Sequence, residues 1–182
     1  MFNGQRILPA VNNMKDFERV MKEEEGHYFV VLDVHLSLLA KMKKLSKEAG
    51  KKMLLHADLV QGLKSDRYAA EFICQTIRPA GVISTRANML KTAKKNNILA
   101  IQRIFLLDTM ALKTSYQQVE EVKPNILEVL PGVIPDYIKK VRDETGIEVI
   151  AGGLITTVED IQTALDAGAQ AVTTSRTDLW QQ

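Results

Sequence analysis

Asp33, His56, Asp58 and Glu128 each end or interrupt a short apolar run, the position at which a buried strand delivers a polar side chain. Carboxylates and an imidazole gathered there would accept or exchange hydrogen bonds with the hydroxyls of a short polyol. Asp33, Asp58 and Glu128 could instead hold one divalent cation through oxygen ligands. Further on, Val149-Ile150-Ala151-Gly152-Gly153 and Ala171-Val172-Thr173-Thr174-Ser175-Arg176 read as two buried strands that stop where backbone N–H groups are exposed. Glycine carries no Cβ to block phosphate oxygens, so Gly152, Gly153, Ser175 and Arg176 form a candidate phosphate cradle. Lys64, Arg86 and Arg103 are cations suited to a phosphate or to an RNA backbone. The combined chemistry is that of a small phosphorylated polyol.

The same residues also have purely structural readings. Asp33 and Asp58 could cap the helices that follow them, and His56 could be a hydrogen-bonded core imidazole. Glu128 lies between Leu127 and Val129, so its side chain should face the interior, where an unpaired charge is costly. It needs a partner or a ligand. Asp108 with Thr109 reads as a helix start. Cys74, the single cysteine, sits among Ala70, Phe72, Ile73 and Ile77, as a buried structural thiol does.

These residues can meet only if the chain folds in a particular way. Runs rich in Val, Ile and Leu alternate with amphipathic stretches, the rhythm of a parallel sheet. Strands are expected at Ile7–Ala10, Tyr28–Leu32, Lys52–His56, Ala80–Ser84, Leu99–Gln102, Ile126–Leu130, Glu148–Ala151 and Ala171–Thr174. Asn13 should cap a helix from Met14 to Glu25, and Pro135 should open one running through Thr145. Gly50, Gly146 and Gly168 read as helix stops. Thr157 with Asp160 resembles a capping box ahead of Val158, Ile161 and Leu165. The fold class that follows is α/β, a compact parallel TIM (β/α)8 barrel forming one domain over residues 1–182. In such barrels the loops after strands seven and eight make an anion site, and the catalytic or binding mouth lies at the C-terminal ends of the strands.

A barrel of this kind takes about 250 residues as a rule, whereas this chain has 182. Its loops must therefore be short and its last helix stunted, with Leu179 and Trp180 packing over the seam or against a second subunit. A homodimer is one expectation. The net charge of +2 argues against a whole-molecule attraction to nucleic acid. Lys41, Lys43, Lys44, Lys47, Lys51 and Lys52, and then Lys91, Lys94 and Lys95 after Arg86, could neutralise phosphates locally or be solvated helix faces. With no apolar segment long enough to span a bilayer and no signal core, a cytoplasmic protein is expected.

Taken in order, Arg6-Ile7-Leu8-Pro9-Ala10, Leu32-Asp33-Val34-His35-Leu36, His56-Ala57-Asp58-Leu59-Val60-Gln61-Gly62, Gly81-Val82-Ile83-Ser84-Thr85-Arg86, Gln102-Arg103-Ile104-Phe105, Glu128-Val129-Leu130-Pro131-Gly132 and Ile150-Ala151-Gly152-Gly153-Leu154-Ile155 closely resemble the glycerol uptake operon antiterminator family. The resemblance implies a regulator rather than an enzyme. It implies glycerol 3-phosphate as the effector, no required cofactor, and the leader messenger RNA of glycerol-utilisation genes as the partner. The residues alone leave another class open: an isomerase using Asp33 and Glu128, or a metal-dependent glycerophosphodiester hydrolase.

Overall fold

A computed structural model describes residues 2–23 and 25–181. Eight parallel strands close into a barrel in chain order. They are β1 (Ile7–Val11), β2 (Tyr28–Val31), β3 (Lys52–His56), β4 (Gly81–Ser84), β5 (Leu99–Phe105), β6 (Ile126–Leu130), β7 (Val149–Gly152) and β8 (Ala171–Thr174). Seven helices alternate with them: α1 (Met14–Lys22), α2 (Leu39–Glu48), α3 (Arg67–Glu71, continued by a π-helical turn over Phe72–Ile77), α4 (Ala87–Lys95), α5 (Thr109–Val122), α6 (Pro135–Thr145) and α7 (Val158–Asp166). After β8 there is one 3-10 turn, Thr177–Leu179.

Strand periodicity places the site. Leu8, Val30, Leu54, Ile83, Ile101, Ile126, Ile150 and Ala171 fill the barrel interior. The intervening residues, such as Val31, Leu55, Ile104, Val129 and Val172, join the outer cluster packed beneath the helices. Side chains alternate with a period of two. Two residues beyond the inward apolar layer, the same inward face therefore presents His56, Arg103, Glu128, Gly152 and Thr173 at the C-terminal end.

Local signals act as their chemistry requires. The Asn13 side chain accepts from Asp16 N, and Pro135 occupies the first turn of α6. Thr157 and Asp160 form a reciprocal capping box on α7. Gly146 takes a left-handed conformation at the end of α6. Three sequence expectations need correction. Helix α1 ends at Lys22, because Glu23 is already extended. Val158 is exposed, so the buried stripe of α7 is Ile161 and Ala164. Strand β5 continues to Phe105 rather than stopping at Gln102. The polar pair Gln102-Arg103 looks like a loop in sequence, but both residues are satisfied inside the fold.

The seam between β1 and β8 is paired through Ile7↔Val172, Leu8↔Thr173 and Pro9↔Thr174. Leu179 and Trp180 are buried within the chain itself. Trp180 Nε1 donates to the Thr174 carbonyl at 2.9 Å, and Arg19 lies over its ring at 5.6 Å. Trp180 thus braces the end of β8 from below. Trp180→Phe should retain most of the packing but strand that carbonyl, lowering stability by about 1–2 kcal/mol. Urea unfolding followed by circular dichroism tests this, and an unchanged midpoint would mean the bond contributes nothing.

Candidate functional site

At the centre of the mouth is a buried ion pair. Arg103 Nε donates to Glu128 Oε2 at 2.7 Å, with the arginine side chain 11% exposed and the glutamate 0%. Thr173 Oγ1 donates to the other carboxylate oxygen at 3.1 Å. The register Arg103↔Glu128 on β5 and β6 sets the two side by side. Glu128 therefore has the partner its position demands. Guanidinium carries five N–H donors in a rigid fork. Among the described residues only its Nε–H is given a protein acceptor, which leaves the two terminal nitrogens able to take an anion in bidentate fashion.

Gly152 makes this arrangement possible. A Cβ on it would stand 2.3 Å from Thr173 Oγ1 and 3.0 Å from Glu128 Oε1, so the carboxylate and hydroxyl meet where any other side chain would be. Gly152→Ala should push Thr173 off Glu128 and cost about 1–3 kcal/mol of stability through overpacking. Adding Thr173→Ala should recover part of that loss in chemical denaturation. No recovery would show that the clash lies elsewhere.

The β7 loop turns sharply beyond it. Gly153 and Leu154 both have positive φ, +72° and +61°. An L residue held there costs about 1–2 kcal/mol, so the exposed Leu154 marks a turn fixed by its surroundings. The β6 loop provides part of that support: Gly132 N donates to the carbonyls of Gly152 and Gly153. A cavity of about 180 Å³ lies between this turn, Ser175, Thr173 and the Arg103–Glu128 pair, with Leu130 and Ile155 among its apolar walls. That volume equals about six water molecules of liquid, which suits a small metabolite and excludes a nucleotide.

The other predicted site residues lie elsewhere. Arg176 is absent from the cavity wall: its guanidinium grips Asp178 at 2.9 and 2.7 Å, and its backbone N–H donates to Thr174 Oγ1. Asp33 is exposed and accepts from Gln61 Nε2 at 2.7 Å, tying the β2 loop to the β3 loop. Asp58 accepts from Ser84 Oγ, Thr85 N and Thr85 Oγ1 at 2.6–2.9 Å and faces Arg86 at 3.6 Å. It holds the β4 loop. Neither aspartate caps a helix, and α4 has no side-chain cap at Arg86. Among the described residues no three His, Cys, Asp or Glu side chains gather to hold a metal, so Asp33, Asp58 and Glu128 do not form the oxygen cage considered from sequence.

His56 is 3% exposed, and neither ring nitrogen has a hydrogen-bond partner. Burial and then the positive charge of Arg103 push its pKa down to about 4, against the pull of Glu128 and Asp58. It is not the satisfied core histidine of the structural reading, and it stands behind the cavity rather than in its wall. Lys64 is exposed on the loop after β3.

The lysine runs divide. Lys51 is buried, with Nζ on the carbonyls of Glu25 and Gly26. Lys91 pairs with Glu121, and Lys94 reaches the carbonyls of Val122 and Lys123. These serve the fold, while Lys41, Lys44 and Lys47 remain on an exposed face. Cys74 is fully buried and its thiol is pushed up to about 11 by burial. Thr173 was missed as a site residue. The signal was its inward parity with Ala171, which places a hydroxyl beside Glu128.

Residues 7–180 match the family described as glycerol-3-phosphate responsive antiterminator. A crystal structure of a glycerol uptake operon antiterminator regulatory protein from Listeria monocytogenes is similar at 44% identity and a TM-score of 0.94, covering 97% of this chain and 95% of that one. A glycerol uptake operon antiterminator-related protein from Thermotoga maritima shares 29% identity with a TM-score of 0.82, each chain covered in full. The Escherichia coli protein named Uncharacterized protein YgcP is 31% identical over 174 residues, 96% of this chain and 91% of that protein. No helix among the described residues is long and apolar enough to cross a membrane. On the match over nearly its whole length, the chain belongs to the glycerol-3-phosphate responsive antiterminator family.

Proposed function

We propose that this barrel binds glycerol 3-phosphate in its mouth and, in that state, binds the leader messenger RNA of glycerol-utilisation genes so that transcription passes a terminator. The observation that carries the reading is the cavity of about 180 Å³ that sets the Gly153–Leu154 turn and Ser175 opposite the Arg103–Glu128 pair. Phosphate sits at the β7 and β8 turns, on main-chain amides and the free fork of Arg103. The glycerol hydroxyls meet Glu128 and Thr173, which have acceptor capacity on that side. Of the residues first assigned to the polyol, Glu128 keeps that role, and Asp33, His56 and Asp58 support the loops and layer around it. Arg176 serves the turn after β8.

The chain acts as one barrel unit, and it regulates rather than catalyses. Glu128 is committed to Arg103 and Asp33 to Gln61, so the acid pair an isomerase would need is not assembled. Effector can favour the RNA-binding state only to the extent that it binds that state more tightly. Labelled leader RNA should bind roughly 5- to 150-fold more tightly at saturating glycerol 3-phosphate. Anisotropy titrations with and without the effector, across salt concentrations, measure this directly. Equal affinity in both arms would remove the coupling, and turnover of a phosphorylated polyol would remove the regulator reading.

A further inference from the structure

A second pocket, of about 460 Å³, opens on the outer side of the mouth between β5 and α5. Its walls are Gln102, Arg103 and Phe105 from β5, Met110 and Ser115 from α5, and Thr85 from the β4 loop. Gln102 is 1% exposed: its Nε2 donates to the Ser115 carbonyl at 3.0 Å, while Oε1 is buried with no donor. A buried acceptor left unmatched is costly, and this one lines a space large enough to admit a ring. Phe105 and Met110 are both exposed, and the Arg103 guanidinium lies 5.9 Å from the Phe105 ring centroid.

We infer that the pocket between β5 and α5 receives one unpaired nucleobase of the bound RNA, stacked on Phe105 and Met110 with an edge N–H on Gln102 Oε1. The inference rests on the RNA-binding reading above and assigns it a site. Its chemistry is that of a flat apolar face with one hydrogen-bonding edge, which is how single-stranded RNA is read. The charges around the pocket fit a polyanion. Arg103 is in its wall, and the half-exposed Arg86 adjoins Thr85. Asp108, the carboxylate of the pocket, is occupied by the Ala111 amide as the cap of α5.

Arg103 also lines the effector cavity. One guanidinium thus faces both the phosphate and the base, so an effector that reorients the fork changes the charge presented to the RNA. This gives the two sites a shared physical element.

The test uses full-length protein and labelled leader RNA at saturating glycerol 3-phosphate. Phe105→Ala should weaken RNA binding about tenfold, the loss of one stacked base, while Phe105→Trp retains it. Effector affinity by calorimetry should be unchanged in both. Met110→Glu, at a site 72% exposed where folding is insensitive, should weaken RNA binding as well by placing a negative charge at the pocket. Wild-type protein that binds no leader RNA would overturn both the function and this site. Wild-type binding with undiminished binding by Phe105→Ala and Met110→Glu would overturn this site alone. Variants that lose self-association in light scattering but keep RNA affinity would show that a second copy covers the patch, which also overturns it.

Discussion

Arg103→Met is expected to lower the unfolding free energy by about 3–5 kcal/mol, the cost of removing one partner from a buried ion pair. The size follows from geometry: Glu128 is completely buried and its partners are Arg103 and the Thr173 hydroxyl. Without the guanidinium a carboxylate remains in the barrel with one neutral donor. Replacing both members is different, because a matched apolar or neutral pair leaves no stranded charge. The double variant Arg103→Met with Glu128→Gln should therefore be much more stable than Arg103→Met alone, in urea unfolding at pH 7. Additive losses would show that packing, not charge, dominates at this position. Either variant should also abolish glycerol 3-phosphate binding, since the phosphate loses its fork or the polyol its acceptor.

The second large effect is a dependence on pH. His56 is neutral in the fold because burial, aided by Arg103, holds its pKa near 4 rather than the usual 6.5. Between those values the unfolded chain takes up a proton that the native state refuses. Stability therefore falls as pH drops from about 6.5 towards 4, by about 3 kcal/mol from this imidazole in full, and is unaffected by it above that range. His56→Leu should flatten this part of the profile, and carboxylates elsewhere contribute equally to both proteins. Unfolding curves at intervals from pH 7 to pH 4.5 give the difference. Parallel profiles for wild type and variant would show that the ring is solvated or partnered in solution.

The barrel was legible because eight apolar runs at regular spacing, separated by capped helices, admit few other arrangements. The Asn13 cap, the first-turn Pro135 and the Thr157–Asp160 box are local signals that tertiary contacts did not override. Glu128 was legible for a related reason: a charge at an inward position of an apolar strand must be matched. Its match was not legible, since Arg103 lies 25 residues away and only the β5–β6 register sets them side by side.

The loop acids were harder. Asp33 and Asp58 stand at strand ends as a ligand set would, but where a side chain points after a strand depends on turn geometry. Asp33 has φ of +30° and turns to Gln61; Asp58 meets a row of donors from β4 that sequence separation conceals. Gly152 shows the converse. It was read as bare backbone for a phosphate, whereas its missing Cβ makes room for Thr173 and Glu128 to meet.

The most direct measurement is a crystal structure of the protein with glycerol 3-phosphate at saturating concentration. Phosphate density against the Gly153–Leu154 turn, Ser175 and the Arg103 fork, with the glycerol carbons running towards Glu128 and Thr173, is the expected result. Density on another face of the barrel, or an empty mouth at a concentration where calorimetry shows full binding, would contradict the central claim.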